Sequence, residues 1–255
     1  MDMQLKANFE ERWAKYFPGA ELPIVFFYAA DPGDCERIAE PNAPHRCMVA
    51  LLSKARKGQN IAIDEAAVSC SGGKRYCGFS QALMPGFEYF LSCGIPGKLE
   101  GERYKKSPEI VREFMKGSQM VAAPAPYICF KRWDKLEEAD EPEVAIFFAR
   151  PDVLSGLFTL AGFEETARDA VFAPFGAGCA TIVQYPLIEG QAEHPRCVLG
   201  MFDVSARPCV PEGVLSFAAP MKKFARMVND MDESFLITPS WDAVRKRMRR
   251  SADAE

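Results

Sequence analysis

Apolar side chains recur at helical spacing at Leu5, Phe9, Trp13 and Phe17, which predicts an amphipathic helix over residues 4–17. After Pro23, Ile24-Val25-Phe26-Phe27-Tyr28 is an unbroken apolar run rich in β-branched and aromatic residues. Such a run fits a strand inside a sheet, and Asp31-Pro32-Gly33-Asp34 ends it. Met48 to Lys57 reads as a helix with Leu51, Leu52 and Ala55 inward, stopped by Gly58. Asn60 to Ala67 reads as a second strand, and Cys70-Ser71-Gly72-Gly73 opens a helix expected through Phe79 to Leu83. A further helix lies around Phe87 to Ser92, ended by Gly94. Ser107-Pro108-Glu109 has the cap and first-turn proline of a helix start, and that helix runs to Lys116 before Gly117. Val121 to Phe130 reads as a strand punctuated by prolines.

The second half repeats this rhythm. Val144 to Ala149 is a buried strand, Pro151 to Leu160 a helix closed by Gly162, and Ala170 to Pro174 a short strand. Gly176-Ala177-Gly178-Cys179 begins another helix. Val214 to Ala219 is the last strand, followed by helices at Lys222–Met231 and Trp241–Arg250. Strands alternating with helices predict an α/β or α+β fold with a mostly parallel or mixed sheet. Ile24–Phe27 before Pro32 parallels Ile146–Phe148 before Pro151, and Cys70 parallels Cys179. Arg46-Cys47 parallels Arg196-Cys197, with His45 and His194 just upstream. A duplicated unit would account for all three parallels. The expectation is one domain over 1–255 with two similar halves, 1–125 and 126–255; the alternative is coincidence among common strand–turn–helix patterns.

Charge narrows the partners. The 255 residues carry 35 acids and 31 bases, a formal charge of −4, which speaks against a broadly basic nucleic-acid or membrane-surface protein. The longest apolar stretch, Leu22 to Ala30, is far short of the roughly 20 residues a bilayer span needs. The N-terminal segment has no signal-like apolar core. A cytoplasmic location without membrane insertion is therefore expected. Nine cysteines cannot all pair internally, and a reducing compartment would keep them as thiols.

The loop Cys70-Ser71-Gly72-Gly73-Lys74-Arg75 carries the most chemistry. Glycines let backbone approach a ligand, and helix-start amides attract anions. A helix dipole with Lys74 and Arg75 would favour a thiolate at Cys70. Cys70 is thus a candidate nucleophile or ligand, and the plainer reading is a thiol packed under a tight turn. A ligand or cofactor site, its occupant unidentified, would gather Gly72 and Gly73, which would present amides, with Cys179. Arg75 or Arg207 would meet an anionic group. Asp203 and Arg207 lie four apart on an expected helix, a spacing for an ion pair. Neither GxxxxGK[ST] nor GxGxxG occurs. Cys70, Cys77 and Cys179 are the candidate metal ligands for iron–sulfur or zinc, although no CxxC spacing is present. The basic run Arg103, Lys105 and Lys106 around Tyr104 suits an anion-holding flap or a solvated loop. The tail Arg245–Arg250 suits a partner contact or a solvated helix.

Several segments together resemble the domain-of-unknown-function 169 family, found in many anaerobic bacteria and archaea. They are Cys70-Ser71-Gly72-Gly73 with Gly78, Pro142-Glu143-Val144 before the strand Ala145 to Ala149, Gly178-Cys179, and Gly200-Met201-Phe202-Asp203-Val204-Ser205-Ala206-Arg207. The resemblance implies a cytosolic protein of unknown biochemistry and supplies no mechanism. The residues themselves favour small-ligand or cofactor binding beyond the carboxyl ends of strands. The alternatives are a thiolate-ligated iron–sulfur or zinc redox protein, and an interaction module working through its terminal helix.

Overall fold

The computed structural model describes residues 1–40 and 47–252. Among them eight strands form one mixed sheet. In chain order these are β1 (Ile24–Ala29), β2 (Glu36–Arg37), β3 (Ile61–Ile63), β4 (Tyr127–Arg132), β5 (Val144–Ala149), β6 (Val171–Phe172), β7 (Cys197–Gly200) and β8 (Leu215–Pro220). The spatial order is β2-β3-β4-β1-β5-β8-β7-β6. It reads as the same arrangement from either edge, with β1–β4 answered by β5–β8. The outer pairs β2·β3 and β6·β7 are parallel and the other five pairs antiparallel.

The registers repeat as well. Ile24 faces Arg132 and Ala29 faces Tyr127 in the first group. Val144 faces Pro220 and Ala149 faces Leu215 in the second. The groups meet where Val25 faces Ala145, flanked by Ile24↔Ile146 and Phe26↔Val144. β4 closes the first group by pairing with both β1 and β3.

Alternation along the strands separates two faces. On the front, Ile24, Phe26, Ile128, Phe130, Ile146, Val198 and Ala218 share one core. Residues of α2 (Met48–Arg56) and the helical stretch 180–190 join them. On the back, Val25, Ala145, Phe147, Phe217 and Ala219 pack beneath α1 (Met3–Tyr16) and three helices of the second half. Those three are α6 (Pro151–Ala161), α8 (Met221–Asp230) and α9 (Pro239–Ala252). Phe9, on α1, meets Trp133 and Phe224 edge to face, with centroids 4.9 and 5.1 Å away. In α6, a Cβ at Gly156 would lie 2.5 Å from the Trp241 ring, so glycine lets α9 approach.

The caps follow the expected chemistry. Ser107 accepts a bond from the Ile110 amide, and Pro108 opens α5 (Pro108–Lys116). Elsewhere the elements are shorter than their patterns suggest. The strand expected over 60–67 is only β3. The helix after Cys70, α3 (Ser71–Tyr76), ends before Gly78, which sits at φ +81° with the Ala123 amide against it. The strand expected from Val121 begins at Tyr127, since Pro124 and Pro126 have no amide to donate. The helix at Phe87, α4 (Phe87–Phe90), spans four residues. β7 has no counterpart among the expected strands.

Candidate functional site

The site is built on the front face, where chain leaving β3 and β6 turns into helices. Beyond β3, Asp64 accepts a 2.9 Å bond from the Ala67 amide and pairs with Arg37. Ala67 and Val68 are buried, and Cys70 stands at the N-cap of α3 in extended conformation without a side-chain cap bond. A helix of six residues has only a weak dipole at its N-terminus. Gly73 is required by packing, because a Cβ there would lie 2.6 Å from Val68 Cγ1. At Gly72 a Cβ meets only ordinary contacts, the nearest being Cys70 Sγ at 3.7 Å.

Cys179 stands at the head of the second helical stretch, which winds as a π-helix over Ala180–Gln184 and continues as α7 (Tyr185–Gly190). Such wide turns recur at functional sites. The Gly178 amide donates to Asp203 at 3.0 Å, while the other Asp203 oxygen accepts from the Ser205 amide and hydroxyl. Gln184 is buried, and neither end of its amide has a partner among the described residues.

Both expected anion-binding arginines are otherwise engaged. Arg75 is buried and donates to the Gln81 carbonyl. Arg207 donates to the carbonyls of Met201 and Val214. The expected Asp203–Arg207 helix is instead a turn followed by a 3-10 segment at Arg207–Cys209. Asp203 there serves backbone amides rather than a guanidinium, because the chain must turn sharply after β7.

Cys70 and Cys179 belong to one front-face core, together with Cys47, Cys77 and Cys209. The charge of a Cys47, Cys70 or Cys77 thiolate would be felt at Cys179. Cys47 lies close enough to Cys209 to help burial raise its thiol. Burial pushes the Cys179 thiol well above its ordinary range, Cys77 to about 12 and Cys209 to about 11, so these sulfurs stay protonated near neutrality. Burial thus opposes a thiolate at Cys179. Cys47, Cys70 and Cys209 keep partial exposure.

Cys47 and Cys209 were not expected at the site. The available signal was position, since Cys47, Cys70 and Cys179 each stand just before a helix. In the sheet's repeated order α2 links β2 to β3 as the stretch 180–190 links β6 to β7. The topological counterpart of Cys179 is therefore Cys47, not Cys70.

A cleft of about 560 Å³ flanks α3, walled by Glu40, Asp64, Glu65, Lys74, Phe79 and Pro126. Cys70, Gly72 and Gly73 are not in its walls, because the thiol turns inward onto the core. The Glu102–Lys106 segment is pinned by amide bonds from Glu102, Arg103 and Lys105 to the carbonyls of Phe90, Ser92 and Leu91. Lys105 lies over the Phe175 ring at 4.0 Å, and the Tyr104 hydroxyl accepts from the Ser205 amide. In the basic tail, Arg245 pairs with Asp242 and Arg247 with Asp152. His194 is exposed, whereas His45 and Arg46 lie outside the described residues.

Among the described residues no group of three or more His, Cys, Asp or Glu is arranged to hold a metal ion. The expected set Cys70, Cys77 and Cys179 therefore gains no ligand geometry. Nor is any helix of the described residues long and apolar enough to cross a membrane. A family model described as uncharacterised ArCR, DUF169, matches residues 22–230. No curated protein and no solved structure matches the chain.

Proposed function

Given that the chain belongs to the DUF169 family, described as uncharacterised, we propose from the geometry that it binds a small ligand or cofactor on the front face. The site is the place where Cys70 and Cys179 gather with Cys47, Cys77 and Cys209. The carrying observation is this convergence of five thiols from both four-stranded groups in one core: Cys47, Cys70 and Cys179 at the heads of three helices, Cys77 at the end of α3 and Cys209 at the end of a 3-10 segment. A π turn with a buried amide at Gln184 that has no partner among the described residues supports the same reading, since buried polar groups ordinarily find partners. Cys70, half-buried at its turn, is the thiol placed to meet an electrophilic or thiophilic group. The reading includes a cytoplasmic setting, which keeps the nine thiols reduced. It also includes a single domain built from two copies of one unit.

Native-state alkylation with N-ethylmaleimide, mapped by mass spectrometry, tests the site. Cys70 is expected to react well before Cys77 and Cys179. Equal labelling of the three, or an inert Cys70, overturns the reading. Metal and acid-labile sulfide analysis of anaerobically purified protein runs beside it. Stoichiometric iron and sulfide would replace this proposal with the cluster alternative.

A further inference from the structure

A second cleft, of about 390 Å³, opens where β1 and β8 end and β5 begins. Its volume is in the range that holds a small organic molecule. The walls are largely apolar, with Val121, Pro124, Leu187 and Met221 prominent. Glu143 stands in it at the entry to β5. The backbone of Glu143 is clamped, its amide donating to Phe26 and its carbonyl accepting from Met221, both at 2.9 Å. The carboxyl group is thus carried on a rigid element.

The polar atoms around Glu143 decide what the cleft accepts. Tyr28 also lines it, but its hydroxyl proton is committed to the Cys77 carbonyl at 2.8 Å, leaving an acceptor oxygen. The Tyr28 amide faces the Glu143 carboxylate beyond the end of the β5 ladder and only partly offsets its desolvation. Lys222 is the cation in the walls, and its ammonium reaches the Glu193 carbonyl at 3.4 Å. Gln191 completes the polar lining. Glu143 has no ion-pair partner among the described residues. An acceptor-rich, apolar cleft of this kind is complemented by a donor that brings positive charge on an apolar body.

We infer that this cleft is a binding site for a small organic amine, with the ligand ammonium on Glu143 and its hydrocarbon part between Leu187, Val121 and Met221. No cysteine lines this cleft, so the inference does not rest on the reactivity of the thiols.

Calorimetric titration with 2-phenylethylammonium and n-hexylammonium, and with 3-phenylpropanoate as the anionic control, tests it. Saturable binding of both amines and none of the anion is expected. Glu143→Gln is expected to weaken the amines by about tenfold or more, the usual scale for losing a charge-assisted hydrogen bond. A readout that needs no variant comes from pH. Desolvation raises the Glu143 carboxyl, so wild-type affinity is expected to fall on acidification while the amine stays charged. Failure of both amines to saturate, equal binding of 3-phenylpropanoate, or unchanged affinity both in Glu143→Gln and across the acidic range overturns the inference.

Discussion

Phe217 and Ala219 of β8 hold the register positions that Cys129 and Lys131 hold in β4. All four point to the back of the sheet, yet their surroundings differ. Over the second group, Phe217 packs against Phe147, with centroids 6.3 Å apart, in an aromatic core roofed by helices. Over the first group, Cys35, Ala62 and Cys129 form a small cluster edged by Phe27, Ala29 and Tyr127. Lys131 has only 2% of its side chain exposed, and Asp34 and Asp140 hold its ammonium at 2.7 and 3.0 Å. A hydrogen bond from Cys35, and secondarily the Lys131 charge, lowers the Cys129 thiol against the effect of burial. The same backbone register thus tolerates a greasy roof or an ionic one. The two differ in energy, because desolvating ions offsets most of what their attraction contributes.

The largest effect is expected where the roof is apolar. Phe217→Ala should cost about 3–5 kcal/mol in urea unfolding, as a large buried ring leaves a cavity. Cys129→Ala at the matching position should cost about 1 kcal/mol, in line with the small apolar volume removed. Equal losses would break the comparison.

Lys131→Ala should cost about 3 kcal/mol, because Asp140 is left buried without its cation. The pH profile sharpens this. Burial opposes the charge on Asp34, but hydrogen bonds from Lys131 and Asn60 outweigh it and hold the carboxyl below its ordinary range. Its contribution is therefore present above about pH 4 and is lost as pH falls through the folded value. Burial likewise opposes the Lys131 charge, yet Asp34 and Asp140 raise it overall. That contribution is complete below about pH 10.4 and is lost as pH rises through the higher folded value. Melting temperature measured across pH should fall more steeply at both extremes for the wild type than for Lys131→Ala.

Glycine substitutions give a smaller contrast. Gly156→Ala should cost about 1–3 kcal/mol by overpacking against Trp241 and Phe17. Gly117→Ala in the first half meets open space and should change stability by less than about 0.5 kcal/mol. Asp203→Ala, which removes the acceptor of the Gly178 amide, should cost about 1 kcal/mol in thermal unfolding.

Much of this frame is legible in the amino-acid pattern. The runs at Ile24 and Val144 are strands because six consecutive residues suit burial, and Ser107-Pro108 starts its helix by local capping. The repeated register is hidden, because matched positions carry phenylalanine in one group and cysteine in the other. β2 is two residues long and too short to print a period of two, whereas β6 falls within the short strand expected over Ala170–Pro174. At the candidate site, Cys70 and Cys179 were readable from their strand-to-helix turns. The fates of Arg75 and Arg207 were not, since they depend on carbonyls at Gln81, Met201 and Val214 that only the folded chain presents.

The shortness of β2 and β6 has a consequence for how this protein behaves in concentrated solution. They are the two borders of the sheet, and each offers a neighbouring chain a hydrogen-bonding template only two residues long. Longer, flatter borders invite strand-by-strand growth into aggregates. Placing the longest ladders at the centre and stubs at both rims leaves such growth almost nowhere to start.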